Sequence, residues 1–256
     1  TLPSERAYFV LQPQLVNPTS QAIPCQFWIN AALTLGSASI PADTEFIYPT
    51  DSMLVHSTGD KSLPAARQIL SWPIYNGRDL SYYGNWHTWL GVFVPDVRQN
   101  YVGAYNHDTE LGIARIFPPE IAQGLKLFAF GADFPACAEY CDDGSKYFEI
   151  WGGPCRTFWP EDDVVIGAGQ SLSWSEAWVP FTAIGGLDKA TTEAIVKATV
   201  QDGQVHLGIA VSKAQRLHLS LKWNGQIFHQ QWTQLTPDTP IMTQAALPDG
   251  ASTPGQ

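Results

Sequence analysis

Positive charge is scarce in this chain. Its 256 residues carry 14 Lys and Arg against 24 Asp and Glu, a formal net charge of −10, with no basic run that could track a line of phosphates. That balance argues against nucleic acid as a partner, and equally against anionic membrane surfaces and polyanionic substrates. Long apolar runs are missing too. No stretch approaches the roughly 18 to 20 apolar residues that span a bilayer as a helix, so membrane insertion is not expected. Cysteine is limited to Cys25, Cys137, Cys141 and Cys155. The Cys-x-x-x-Cys of Cys137 and Cys141 could close a small loop disulfide, with Cys25 and Cys155 as a candidate second pair. Zinc is the rival for such a set, but no His stands at ligand spacing beside the pair, and no metal is expected. There is no Gly-x-Ser-x-Gly elbow, no phosphate-cradling glycine loop and no metal-ligand helix, and nothing calls for a cofactor. Asp142-Asp143-Gly144 and Glu161-Asp162-Asp163 lack the oxygen-ligand spacing of a calcium loop and read as solvated. The chain begins at Thr1 directly before a strand-like run, without an initiator Met or a signal peptide. The expectation is a removed leader or a piece of a longer protein, at an extracellular or cell-surface location.

What the chain does hold is aromatic and turn-rich: ten Trp, 21 Gly and 19 Pro, with only 15% charged residues. This is the composition of an all-β protein. Strand-like runs cover 8–16, 25–35, 44–49, 85–94, 101–105, 111–116, 125–130, 147–151 and 171–180, with a long loop at 56–78 and a polar turn at 106–110. No helix of three turns is visible before residue 188. From Thr191 the texture changes to plain alternating strands at 194–200, 205–212 and 216–223. They are joined by Gln201-Asp202-Gly203 and Asn224-Gly225, which are strong hairpin signals. The organisation expected is a large β-domain over 1–187, a small β appendage over 188–245 following Gly185-Gly186, and a disordered tail over 246–256.

The strand Tyr147-Phe148-Glu149-Ile150-Trp151 carries the clearest chemical signal. Alternation sets Tyr147, Glu149 and Trp151 on one face and Phe148 and Ile150 on the other. Two aromatic rings flanking a carboxylate suit a sugar, whose C–H faces stack on rings and whose hydroxyls donate to carboxylates. An ionised Glu in an apolar sheet needs a partner, a ligand or water, and a salt bridge to Arg115 or Lys126 would satisfy it as well as a sugar would. Gln26, Trp28 and Asn30 share a face in the same polar-aromatic manner. His87 shares a face with Trp89, and His56 at the start of the long loop is in reach of the same region. His107 reads as a solvated turn residue, and His206, His218 and His229 as surface residues of the appendage. Glycoside hydrolysis would need a second acid facing Glu149, with Asp133, Glu139 and Glu176 as candidates.

Several segments in order, Phe27-Trp28-Ile29-Asn30, Phe46-Ile47-Tyr48-Pro49, Gly103-Ala104-Tyr105-Asn106-His107, 124–131, 147–150, Trp178-Val179-Pro180-Phe181 and Ile184-Gly185-Gly186, carry a family likeness. The run from Tyr8 to about Ala190 resembles the galactose mutarotase-like superfamily, and within it the DUF5107 domain. The resemblance implies a β-supersandwich whose first strands, with one of the family's histidines, are missing here, and whose concave face binds carbohydrate. It also places Glu149 at the position of the general base of aldose 1-epimerases. The position of the general-acid His is occupied by Asn30, which can hydrogen-bond but cannot serve as a proton donor in acid catalysis. The expected function is therefore carbohydrate binding, with Trp28, Phe128, Tyr147 and Trp151 as stacking rings, Asn30 and Glu149 as hydroxyl partners, and His56 and His87 nearby. The alternatives are an epimerase or glycoside-processing enzyme using Glu149 as catalytic base, and a scaffold domain of a larger surface protein with its groove blocked by a Glu149–Arg115 pair. Partners beyond a carbohydrate would be further domains of the same protein.

Overall fold

Proline decides where the first strand breaks. The run expected as one strand over 8–16 is two, β1 (Phe9–Leu11) and β2 (Gln14–Val16), because Pro13 has no N–H to continue a ladder. The computed structural model describes residues 1–135, 137–248 and 250, with Cys137 by its backbone alone. The strands that follow are β3 (Ile23–Cys25), β4 (Ile29–Leu33), β5 (Thr44–Ile47), β6 (Ser52–Thr58), β7 (Ile69–Ser71), β8 (Ile74–Tyr75), β9 (Arg78–Asp79), β10 (Leu90–Phe93), β11 (Tyr101–Asn106), β12 (Leu111–Ile116), β13 (Gly124–Ala129) and β14 (Phe148–Gly153). Next come β15 (Val164–Ile166), β16 (Ser171–Ser173), β17 (Glu176–Thr182), β18 (Lys189–Ala190), β19 (Ala194–Gln201), β20 (Gln204–Val211), β21 (Gln215–Trp223), β22 (Gln226–Leu235) and β23 (Ile241–Ala246). The segment 25–35 also divides in two, and the loop expected over 56–78 contains the end of β6, then β7 and β8, with β9 starting at its close.

Two antiparallel sheets form the main sandwich, one ordered β1-β17-β12-β11-β5 and the other β4-β14-β13-β10-β6-β7. Alternation assigns their inner faces. Phe46, Val102, Ala104, Ile113 and Trp178 from the first sheet meet Met53, Val55, Val92, Leu125, Leu127, Phe148 and Ile150 from the second in one buried core. Buried within this layer is an ion pair. Arg115 donates through Nε to Glu176 Oε1 at 3.1 Å and through Nη2 to Oε2 at 2.6 Å, and neither side chain has any exposure. The indoles of Trp174 and Trp178 donate to the same carboxylate at 3.1 and 3.0 Å. Burial works to raise the Glu176 pKa, but the bonds and charge of Arg115, with the two indoles, outweigh it and hold the group below the ordinary carboxylate value. Gly152 makes room for the guanidinium: a Cβ there would lie 2.0 Å from Arg115 Cζ.

The outer face of the five-stranded sheet is covered by the C-terminal strands. Tyr101, Tyr105, Val179 and Phe181 pack against Ile184, Leu187, Ile195 and Ala210. Above β18-β19-β20-β23 lies the hairpin β21–β22, with Leu217, Leu219 and Leu221 against Leu207, Ile209 and Val211. The appendage thus has six strands among the described residues, three beyond the three read from the sequence. Both hairpin turns take the left-handed conformation their residues favour: φ is +51° and +72° at Asp202-Gly203, and +49° and +81° at Asn224-Gly225.

Other expectations are corrected. Cys25 and Cys155 are free thiols, with the buried Cys155 S–H directed at the Cys25 carbonyl at 3.5 Å, so they do not form a disulfide. The pairing of Cys137 with Cys141 lies outside the described residues. His107 is half-buried, with Nε2 3.0 Å from Glu45 Oε2. His206 and His229 are partly buried, whereas His218 is exposed as expected. Strand β23 runs to Ala246, one residue into the tail expected over 246–256, and most of that tail lies outside the described residues.

Candidate functional site

Among the described residues no sheet is laid over the outer face of the six-stranded sheet, and the residues that alternation sends there are not those of an ordinary solvated face. Strand register sets Gly91 beside Phe128 and Phe93 beside Lys126. It then sets Phe128 beside Glu149 and Lys126 beside Trp151, and finally Trp151 beside Asn30 on the edge strand. On β6 the pairing with β10 slips, Gly91 facing Ser57 and Val92 facing Val55, so His56 is an extra, bulged residue. Such a bulge re-aims side chains, and His56 and Ser57 both open onto the same cavity. Gly91 keeps the floor low: a Cβ there would sit 3.3 Å from His56 Nδ1 and 3.4 Å from the Phe128 ring.

The cavity has a volume of about 390 Å³. At one end His56, Ser57, Lys126 and Glu149 supply polar groups. At the other, Trp89, Phe130, Phe134, Tyr140 and Tyr147 form an aromatic wall, with Phe128 between. Phe130 ties this wall together, stacked on Phe134 at 5.3 Å and edge-on to Tyr147 at 4.9 Å and to Phe128 at 5.2 Å. Trp89 is held down because its ring occupies the space beside Gly59, where a Cβ would come within 2.4 Å. Over the polar end, the loop after β14 brings down Phe158, edge-on to Trp28 at 4.8 Å, His56 at 5.2 Å and Trp151 at 5.4 Å.

Lys126 and Glu149 are nearly buried, at 3% and 9% exposure. They do not pair with each other within 4.0 Å. Glu149 Oε2 accepts from Trp151 Nε1 at 2.7 Å, while Oε1 has no hydrogen-bond partner among the described residues. The Lys126 ammonium lies 4.3 Å from the Trp151 ring centre and 5.1 Å from those of Phe128 and Phe158. Rings attract a cation but accept no conventional hydrogen bond from it. Burial pushes the Lys126 pKa down to about 8, with the charge of Glu149 pulling the other way. Burial also lowers His56, and the positive charge of Lys126 adds to that effect.

The structure brings four of the sequence-expected residues, His56, Phe128, Tyr147 and Glu149, onto the cavity wall. Trp151 stands behind that wall as the donor to Glu149, and Trp28 packs beneath Phe158. Asn30 is exposed on the edge strand. His87 is not on a strand. It lies before β10 with its side chain 64% exposed, 3.8 Å from Asp133. Arg115, weighed as a partner of Glu149, is bound to Glu176 between the sheets, so no Glu149–Arg115 pair fills the groove. Of the candidate second acids, Glu176 is in that inner pair, and Asp133 and Glu139 are exposed outside the cavity. Sequence reasoning missed Lys126 as a cavity residue, together with Ser57, Trp89, Phe130, Phe134 and Tyr140. Lys126 was detectable by the argument used for Glu149: in Leu125-Lys126-Leu127-Phe128-Ala129-Phe130 it interrupts the polarity of a buried strand on the side that carries Phe128 and Phe130.

A two-sheet β-sandwich with a cavity on one outer face is therefore the class of protein defined by the geometry. Residues 1–181 match the family described as "Domain of unknown function (DUF5107)", and the chain belongs to that family. Residues 189–254 match a second family, described as "YphG-like protein, second domain". Among solved structures, the chain is similar to a TPR-domain containing protein from Parabacteroides distasonis, with a TM-score of 0.57 and 24% identity over 70% of this chain and 28% of that one. It is also similar to Slr1438 from Synechocystis, at 0.45 and 18% over 69% and 52%. A third likeness is to a Klebsiella pneumoniae protein proposed to be an aldose 1-epimerase, at 0.42 and 13% over 68% and 43%. The chain thus spans about a quarter to a half of the length of these proteins.

Proposed function

We propose that the protein binds carbohydrate in this cavity, with Phe128 and Tyr147 as ring contacts and Glu149 as an acceptor for hydroxyls. The observation that carries the reading is the free Oε1 of a nearly buried carboxylate opening into an aromatic-walled cavity of about 390 Å³. A sugar offers both things such a wall asks for, apolar C–H faces and hydroxyl donors, and the volume is that of a small-molecule site. Calorimetric titration of the folded chain with a panel of mono- and disaccharides tests this. At least one sugar is expected to bind, with Phe128→Ala and Glu149→Gln each weakening it roughly tenfold or more. Trp151→Ala is expected to act in the same direction by releasing Glu149. A folded protein that binds no sugar in the panel overturns the reading.

The second reading is an aldose epimerase or glycoside-processing enzyme with Glu149 as general base. The same unpartnered Oε1 favours it, because a base needs an oxygen free to take a proton. Glu149→Gln would then abolish turnover of a bound sugar while leaving much of its binding. A mutant with wild-type rate excludes this reading and leaves binding untouched.

A further inference from the structure

The carbohydrate reading accounts for Glu149 and the rings but leaves Lys126 without a purpose. The residue is only 3% exposed, it lines the cavity, and among the described residues its ammonium has neither an ion-pair partner nor a hydrogen-bond acceptor. A buried ammonium with three unused donors is costly unless something accepts from it. The neighbouring groups do not. Glu149 on β14 is more than 4.0 Å away and already holds the Trp151 indole. His56 on β6 has its Nδ1 3.1 Å from Ser57 Oγ, and Phe128, Trp151 and Phe158 offer only ring faces. Water could accept from the ammonium but brings no charge to offset the cation. The two polar groups are also unequal in their needs: the carboxylate has one bond made and one oxygen free, whereas the ammonium has none made.

We propose, resting on the carbohydrate reading, that the sugar taken here carries one anionic substituent, a carboxylate or a phosphate. The anion accepts from Lys126 while a hydroxyl of the same ligand donates to Glu149 Oε1. The separation of Lys126 from Glu149 lets both be engaged by different groups of one ligand without the anion meeting the carboxylate. A single lysine in a cavity of this size calls for one anionic group, and the chain's net charge of −10 repels polyanions at longer range. Charge-assisted hydrogen bonds are about twice as strong as neutral ones, so the anionic sugar outcompetes its neutral parent.

The test is calorimetric titration of the full chain with three matched sets: glucose, glucuronate and glucose 6-phosphate; galactose, galacturonate and galactose 6-phosphate; and acetate and inorganic phosphate without a sugar. At pH 7 one anionic sugar is expected to bind roughly 10- to 100-fold more tightly than its neutral parent, a preference that Lys126→Met removes. Which of carboxylate and phosphate wins identifies the substituent. A neutral parent that binds as tightly as both anionic forms overturns the inference and leaves the carbohydrate reading standing. Binding of no sugar, neutral or anionic, overturns both. Tight binding of acetate or phosphate alone, with no gain from a sugar ring, also defeats the inference.

A second measurement on the unmodified protein keeps the idea testable should Lys126→Met not fold. The titratable groups that face Lys126 are Glu149 and His56, with Tyr147 and Tyr140 at the far end of the cavity. Both anionic substituents and His56 finish titrating below pH 8, so between pH 8 and 9.5 the charge that changes at the polar end is that of Lys126. The affinity for the anionic sugar falls over this range by up to about tenfold per pH unit, and that for a neutral sugar does not. A flat profile for the anionic sugar overturns the proposal.

Discussion

Two cation–carboxylate couples lie on opposite sides of strand β14, and they are built in opposite ways. On the inner side Arg115 and Glu176 are fully buried and doubly bonded, two indoles complete the carboxylate, and Gly152 of β14 clears the space for the guanidinium. On the outer side Glu149 and the adjacent Lys126 are almost as buried, yet they hold apart and leave an oxygen and an ammonium facing a cavity. The inner couple is closed: it joins neighbouring strands of one sheet and fills space in the layer between the two sheets. The outer one is open, and buried titratable groups left facing a cavity are the arrangement from which the proposed binding role is argued.

That contrast is most easily broken at the inner couple. Arg115→Met or Glu176→Gln leaves one buried charge or its hydrogen-bonding partners uncompensated and is expected to cost roughly 3 to 5 kcal/mol in urea denaturation. A loss below about 1 kcal/mol would mean that the two couples do not differ in kind. The inner couple also has an acid signature. Because the folded pKa of Glu176 is depressed, its contribution is complete above the ordinary glutamate pKa and is lost as pH falls through the folded value. Stability measured from pH 6 to pH 3 should drop with that component in the wild type, and the component should be missing in Arg115→Met.

The outer couple gives the next largest effect, and here the charged form costs stability rather than contributing it, although both contributions rise with pH. A lysine whose folded pKa is about 8, below its ordinary value, binds fewer protons folded than unfolded in the interval above pH 8. Stability contributed by this group therefore rises with pH from about 8 to about 10.5, by up to about 3 kcal/mol. Lys126→Met is expected to match or exceed wild-type stability at pH 7 and to lack this alkaline gain, read as the difference between the two proteins' urea midpoints at pH 7 and pH 10. A Lys126→Met protein several kcal/mol less stable at pH 7 would show the ammonium to be a structural partner after all. The smallest effect belongs to the strut between ring and carboxylate. Trp151→Phe keeps the ring but removes the 2.7 Å bond to Glu149, and a loss of about 1 kcal/mol is expected in the same denaturation assay. No change at all would place Glu149 without help from the indole.

How far the sequence could be read depended on how local the cause was. Alternation on β14 separated Phe148 and Ile150, both fully buried, from Tyr147, Glu149 and Trp151, and the Asp202-Gly203 and Asn224-Gly225 turns formed as their residues dictate. The partner of Arg115 was out of reach because it is a contact made across β12 and β17, whose neighbourhood the local pattern does not encode. His87 was misplaced with Trp89 because alternation holds only on a strand, and β10 starts at Leu90. His56 enters the cavity through a bulge, and Phe134, Tyr140 and Phe158 arrive on connections between strands, which no periodicity describes.

The latch between the sandwich and its appendage has a consequence for how this chain is divided. The Gly185 N–H donates to the Tyr105 phenol oxygen at 3.2 Å, the Tyr101 hydroxyl donates to the Asp188 carbonyl at 2.5 Å, and the rings of both tyrosines lie in a core shared with Ile184, Leu187 and Ile195. The two family matches part between 181 and 189, in the middle of that shared core. The unit that is inherited and the unit that melts are therefore different objects here: a cut at the sequence boundary severs one hydrophobic interior rather than separating two.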